Sequence, residues 1–217
     1  MVGLGFYVIS DTSFHSAKMF GTGDIMYLMS NWPYNDQPRF LKFYYMAGVG
    51  YHLSDTINLF LKEAQSDFFE MLLHHYLTLL LIVGSYTTSS WSLGIIVMIQ
   101  MDCGEIFVGF LRCFNDIWPT WIIIPLFLAL NYFWIYFRIF VFTVEIIGTF
   151  RWRGIFDNTT YFLPVMQLLC FILLFLNCYW QILFFRIGYR LIFKGDAKDI
   201  QNPVEDLHKN EKKEIKL

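Results

Sequence analysis

Lysine is missing from residues 63–193. Charge of either sign is scarce: Asp, Glu, Lys and Arg make up 16% of the 217 residues, against about 25% in ordinary soluble domains. An ammonium group is costly inside a bilayer, so a long lysine-free interval marks apolar surroundings. The net charge of −2 gives no basis for nucleic-acid binding, which needs cationic groups to neutralise phosphates. Cysteine is sparse too. Cys103, Cys113, Cys170 and Cys178 lie in or beside apolar runs without a CxxC pair. They read as small buried hydrophobes, not as a disulfide framework. The opening "MVGLGFYVIS" lacks a basic segment and a cleavage site, so it does not read as a signal or transit peptide.

What is present is apolar and aromatic. Hydrophobic residues make up 56% of the chain and aromatics 20%, and the mean hydropathy is +0.46. Crossing about 30 Å of hydrocarbon at 1.5 Å per residue takes about 20 residues. Five segments meet or approach that: residues 40–61, 68–84, 93–111, 118–148 and 161–193. The first is the least apolar, because it holds Lys42, His52 and Asp55. The expected fold class is an all-α multi-pass membrane protein with five transmembrane helices.

The links between segments are short and carry turn residues: "SYTTSSWS" (85–92), "CFNDIWP" (113–119) and "FRWRGIFDNT" (150–159). Short links make neighbouring helices antiparallel. "NWPYNDQP" (31–38) reads as a loop by its Pro and Asn. Trp91, Trp118, Trp121, Trp152 and Tyr161 stand at segment ends, where aromatic belts form. Three units follow: a stub with an interfacial loop (1–39), a transmembrane domain (40–193) and a polar charged tail (194–217). Lys62, Arg112, Arg186, Arg190 and Lys194 collect on one side, and Lys18, Arg39, Arg151 and Arg153 on the other. The positive-inside bias then puts the C-terminus on the cytosolic side.

Ionisable residues at membrane depth usually face a bundle interior or a wet cavity. Asp67, Met71, His74 and Thr78 are spaced 4, 3 and 4 apart, so one helix face carries them. His75 points about 100° away, from 3.6 residues per turn. Asp102 and Glu105 share a face of the next segment, and Asn131, Arg138 and Glu145 fall seven apart. Two imidazoles beside two carboxylates suit acid–base work: a carboxylate fixes the tautomer, and the imidazole removes a proton or accepts an acyl group. Arg138 can bind an anion or neutralise Asp102 and Glu105. Adjacent histidines diverge on a helix, and the chain has five histidines in all; no metal site is expected.

Two segments, "SDFFEMLLHHYLTLLLIVGSY" and "LGIIVMIQMDCGEIFVGFLRCFN", resemble the signature of the TLC-domain family in its ceramide synthase branch. "WPYNDQPRFLKFYYMAGVGYHL" and "WIYFRIFVF" are similar to elements of that branch as well. The resemblance covers residues 31–193. It implies a helical barrel of six spans around a lipid cavity, and N-acylation of a sphingoid base by acyl-CoA to give ceramide. It assigns catalysis to His74, His75, Asp102 and Glu105. Asp67, Met71, Thr78, Asn131 and Arg138 are expected to line the lipid cavity.

The sequence also departs from the family pattern. Glu105 stands where the pattern has a second Asp. Ser89 and Ser92 replace its Asn and Arg, and Leu111-Arg112 its Ala-Lys end. The opening residues match only the tail of one span, so the barrel is expected to lack most of its first stave. These departures favour a non-catalytic, structural or lipid-binding subunit of a larger membrane complex. The alternative is an active sphingoid-base N-acyltransferase with acyl-CoA as co-substrate and no covalently bound cofactor. Expected partners are membrane lipids and other membrane-protein subunits at the open flank and the tail. The resemblance implies the endoplasmic reticulum, with the mitochondrial inner membrane as the other location.

Overall fold

A computed structural model describes residues 1–10, 34, 36–61, 67–114, 117–148 and 162–194. The tail from residue 195, the link at 150–159, Trp152 and Tyr161 lie outside the described residues, as does half of the loop at 31–38. The described elements are helices only: α1 (Val2–Ser10), α2 (Leu41–Leu61), α3 (Phe68–Thr87), α4 (Trp91–Phe114), α5 (Thr120–Phe133) and α6 (Phe162–Lys194). Between α5 and α6, Trp134–Ile147 continues α5 as a π-helix, with wider turns closed by bonds to the fifth residue back.

The protein is an all-α multi-pass membrane protein. Among the described residues, four segments are long and apolar enough to cross a bilayer: Phe68–Thr87, Trp91–Leu111, Trp121–Ile147 and Pro164–Arg190. The expectation was five. The helix α2 has the length, 21 residues, but Lys42, His52 and Asp55 lower its apolar character.

The helices form a ring. α1 packs on α2 and α4, α2 on α3, α3 on α6, α6 on the π segment, and the π segment on α4. α3 also touches α4 across the ring. Beside α2 and α4, where the barrel is expected to lack its stave, stand the described residues of α1, Val2–Ser10.

Two apolar clusters hold the ring together. One gathers Val8, Leu41, Tyr44, Ile82, Trp91, Ile95, Phe142, Ile146 and Leu173. The other gathers Leu77, Ile123, Phe127, Leu130, Trp134, Leu176 and Trp180. Antiparallel alternation puts the start of α2, end of α3, start of α4 and start of α6 in the first cluster. The start of α5 and the second half of α6 fall in the other. The polar residues of the middle turns lie between them.

Two local expectations change. "SYTTSSWS" does not begin as a loop: α3 runs to Thr87 and α4 starts at Trp91. Hydroxyls explain the extension. Ser85 donates to the Ile82 carbonyl at 3.1 Å, and Thr88 to the Gly84 carbonyl at 2.7 Å. Both bond back to carbonyls three or four residues earlier, within the last turns of the helix. The turn is made at Ser89, with φ of 57°. Trp91 is not part of an interfacial belt. It is 1% exposed, because α4 starts within the first cluster, whereas Trp121 is exposed.

Gly94 makes this junction possible. Tyr45 Oη pairs with Ser85 Oγ at 3.2 Å and donates to the Trp91 carbonyl at 3.1 Å. A methyl added at Gly94 would stand 2.8 Å from Ser85 Cβ. Gly94→Ala is expected to cost about 1–3 kcal/mol through overpacking, less about 1 kcal/mol of gained helix propensity. Thermal unfolding in detergent checks this; an unchanged or raised midpoint contradicts it.

Candidate functional site

The polar side chains of the middle turns come from every long element of the ring. α3 brings His74 and His75. His75 is 7% exposed, and its ring centroid lies 5.7 Å from that of His74. As the helical geometry requires, the two rings face different neighbours. His74 meets the edge of Trp180 on α6, centroids 5.1 Å apart and planes at 83°. His75 faces His52 on α2, centroids 6.5 Å apart. Nδ1 of each of the three imidazoles is buried and without a hydrogen-bond partner.

α4 brings Asp102 and Glu105, and the structure separates their roles. Glu105 Oε1 accepts a 2.6 Å bond from Arg138 Nη2. Asp102 is half-buried, and its Oδ2 is buried and unpartnered. Tyr44, fully buried on α2, is within electrostatic reach of Asp102; its hydroxyl is unpartnered too.

The π segment brings Arg138. It is 1% exposed, donates to the Met101 carbonyl at 2.6 Å, and lies 4.0 Å from the Trp134 ring centroid. Gly104 leaves room for it; a Cβ there would stand 2.9 Å from Arg138 Nε. The expected seven-residue stripe is not kept. Trp134, Arg138, Val141, Phe142, Ile146 and Ile147 are the buried positions of the π segment. Glu145 is only half-buried. Asn131, on the last turn of α5, accepts from Gln181 Nε2 at 2.8 Å and donates to the Phe127 carbonyl at 2.8 Å. Trp134 Nε1 donates to the Asn177 carbonyl at 3.1 Å.

The expected face of α3 is partly assembled. Met71 packs against the second apolar cluster. Thr78 Oγ1 is buried without a partner. Asp67 sits at the start of α3 and makes no side-chain cap; with Glu70 it faces Tyr179 on α6, not His74. His52, Tyr44, Asn177, Trp180 and Gln181 were not anticipated. The signals existed: His52 and Asp55 are three apart in α2, and Asn177 and Gln181 four apart in an apolar helix. Among the described residues, no group of three or more His, Cys, Asp or Glu is placed to hold a metal ion.

The sequence profile of the TLC domain matches residues 1–186. The chain belongs to the TLC-domain family. Sphingosine N-acyltransferase lac1 of Schizosaccharomyces pombe is 32% identical over 178 residues, covering 76% of this chain and 46% of that protein. Ceramide synthase hyl-2 of Caenorhabditis elegans is 27% identical over 198 residues, 84% of this chain and 59% of that one. Ceramide synthase LAG1 of Saccharomyces cerevisiae is 28% identical over 200 residues, 85% and 48%. The chain spans about half the length of the curated relatives it matches. As a ceramide synthase-like TLC protein it carries its polar cluster at the depth where such groups are costly unless used.

Proposed function

We propose that the TLC ring of this chain performs N-acylation of a sphingoid base by acyl-CoA, with His74, His75 and Asp102 as the reacting cluster. The observation that carries this reading is the lack of hydrogen-bond partners at His74 Nδ1, His75 Nδ1 and Asp102 Oδ2, all buried. A buried polar group left unsatisfied costs about 1–3 kcal/mol. Histidines retained only to brace the ring would be bonded, as Asn131 is at both ends of its amide. Unbonded groups in a buried cluster are available to substrate.

The chemistry follows from the geometry. One imidazole, His75, takes a proton from the amine as it attacks the thioester carbonyl. The carbon–sulfur bond breaks, and the CoA thiolate takes one of the amine's protons through His75 and leaves as the thiol. His74, held edge-on by Trp180, polarises the thioester carbonyl or receives the acyl group. Asp102, buried and unpartnered at Oδ2 on the neighbouring α4, has by the family resemblance the part of stabilising the imidazolium. Glu105 leaves the catalytic set in this reading: its partner Arg138 uses it as a counter-charge. Met71, Thr78, Asn131 and Arg138 form the wall of the lipid cavity, and Asp67 stands at its mouth. Acyl-CoA is the co-substrate, and residence in the endoplasmic reticulum belongs to the proposal.

A second reading keeps the ring as a lipid-binding subunit of a larger complex, with partner helices against the flank beside α1. The engagement of Glu105 by Arg138 favours it. Purified protein in lipid, given a sphingoid base and acyl-CoA, decides between them. Ceramide formed above the level of a His75→Ala protein is the expected result. No ceramide, together with a native particle larger than this chain and its detergent, selects the second reading.

A further inference from the structure

N-acylation releases a proton. An ammonium R–NH3⁺ and a thioester give an amide, a thiol and one H⁺: of the three nitrogen-bound hydrogens, the amide keeps one, the thiol takes one, and one must leave the apolar interior. A single imidazole that accepts it is spent until the proton moves on. The ring therefore needs a route from His75 to water.

We propose that His52 on α2 is the first step of that route, a positioning and proton-relay residue that acts through His75. The proposal rests on the acyltransferase reading of the site. Four observations point to it. The His52 ring faces the His75 ring at 6.5 Å between centroids. That leaves roughly 4 Å or more between facing nitrogens, a gap one bridging water spans. Nδ1 of both rings is buried and unpartnered, so neither ring is committed to a structural bond there. Asp55 follows His52 by three residues on the same helix face. It is also about 4.5 Å further along the axis toward the α2 C-terminus, at 1.5 Å per residue. Finally, Thr56 Oγ1 donates to the His52 carbonyl at 2.7 Å, which fixes the backbone from which His52 projects.

The path runs His75, His52, Asp55, toward the end of α2. Lys62 follows that end in the sequence, on the side where the basic residues collect. The titratable groups facing His52 are Asp55 and Tyr51 on its own helix, His74 and His75 on α3, and Glu105 on α4. The α1 helix, also packed on α2, carries no Asp, Glu, His, Lys or Arg. Within this set, His52 is the group whose ring faces that of His75.

The test uses the full chain in lipid nanodiscs, with His52→Gln and His52→Ala. Glutamine keeps polarity and approximate size but cannot exchange a proton at neutral pH. The expected result is a kcat lowered about 10–100-fold for both variants, with KM for acyl-CoA within about threefold, at unchanged thermal midpoint for His52→Gln. The loss is expected to shrink as pH rises, because hydroxide and buffer then take the proton. Added imidazole is expected to restore part of the His52→Ala rate. A merely structural residue would change KM or the melting point and show neither rescue nor a pH-dependent deficit. Wild-type kcat and pH profile in His52→Gln overturn the proposal.

A wild-type protein that forms no ceramide overturns the acyltransferase reading instead. The coupling is then read from the ¹⁵N signals of the His75 ring. His52→Gln is expected to move the His75 titration by half a pH unit or more. An unmoved His75 titration removes the relay as well.

Discussion

Replacing Arg138 by leucine is expected to lower the thermal midpoint by about 6–12 °C in detergent. The guanidinium is 1% exposed and has three partners: Glu105 Oε1, the Met101 carbonyl and the Trp134 ring. Removing one member of a buried ion pair costs about 3–5 kcal/mol, mostly from the charge left behind. Glu105 has 51% of its side chain exposed, so the lower figure applies. At about 2–4 °C per kcal/mol for a chain of this size, 3 kcal/mol gives the stated shift. Two companions sharpen the result. Adding Glu105→Gln to Arg138→Leu is expected to recover part of the loss, because the stranded carboxylate is gone. Arg138→Lys is expected to recover little, because an ammonium has no planar face to lie over the Trp134 ring. A midpoint within 2 °C of wild type in Arg138→Leu would refute this account of the ring.

His75→Ala is expected to lower kcat for ceramide formation by about 10²–10⁴-fold, the usual contribution of a positioned acid–base group. His75 lies between His74 and His52, so its loss removes the base and breaks the path beyond it. His74→Ala is expected to be of similar severity. The double variant is expected to be little worse than the worse single one, because groups that act as one unit are not additive. Truncating a buried imidazole also leaves a cavity, so rates are normalised to folded protein. Activity within threefold of wild type in His75→Ala would remove the histidine mechanism. Additive losses would mean that the two histidines act separately.

Much of the fold was legible in the sequence because its signals are local. A run of about 20 apolar residues with few charges specifies a membrane helix wherever it occurs. The segments read at 68–84, 93–111, 118–148 and 161–193 coincide with α3, α4, α5 with its π extension, and α6, to within a few residues. The misreadings had local causes. Ser85, Thr87 and Thr88 are turn-forming residue types, yet their hydroxyls bond back to carbonyls of α3, which runs on to Thr87. The small gap at 88–90 remained for the turn. His52 and Asp55 counted only as polar blemishes on a weak span, when they were also a pair on one face.

The sequence by itself determined that His74 and His75 diverge, that Asp102 and Glu105 share a face, and that all four lie at membrane depth. Helical periodicity fixes these relations within each segment. Only the tertiary structure decided which group meets which. Arg138 went to Glu105 and not to Asp102, His74 to Trp180, and His75 to His52. The π winding of Trp134–Ile147 changed which of its residues face inward. Contacts between helices depend on rotation about each axis and on turn width. Both are set by how two apolar clusters pack around a polar middle, a balance spread over the whole ring and not written in any one segment.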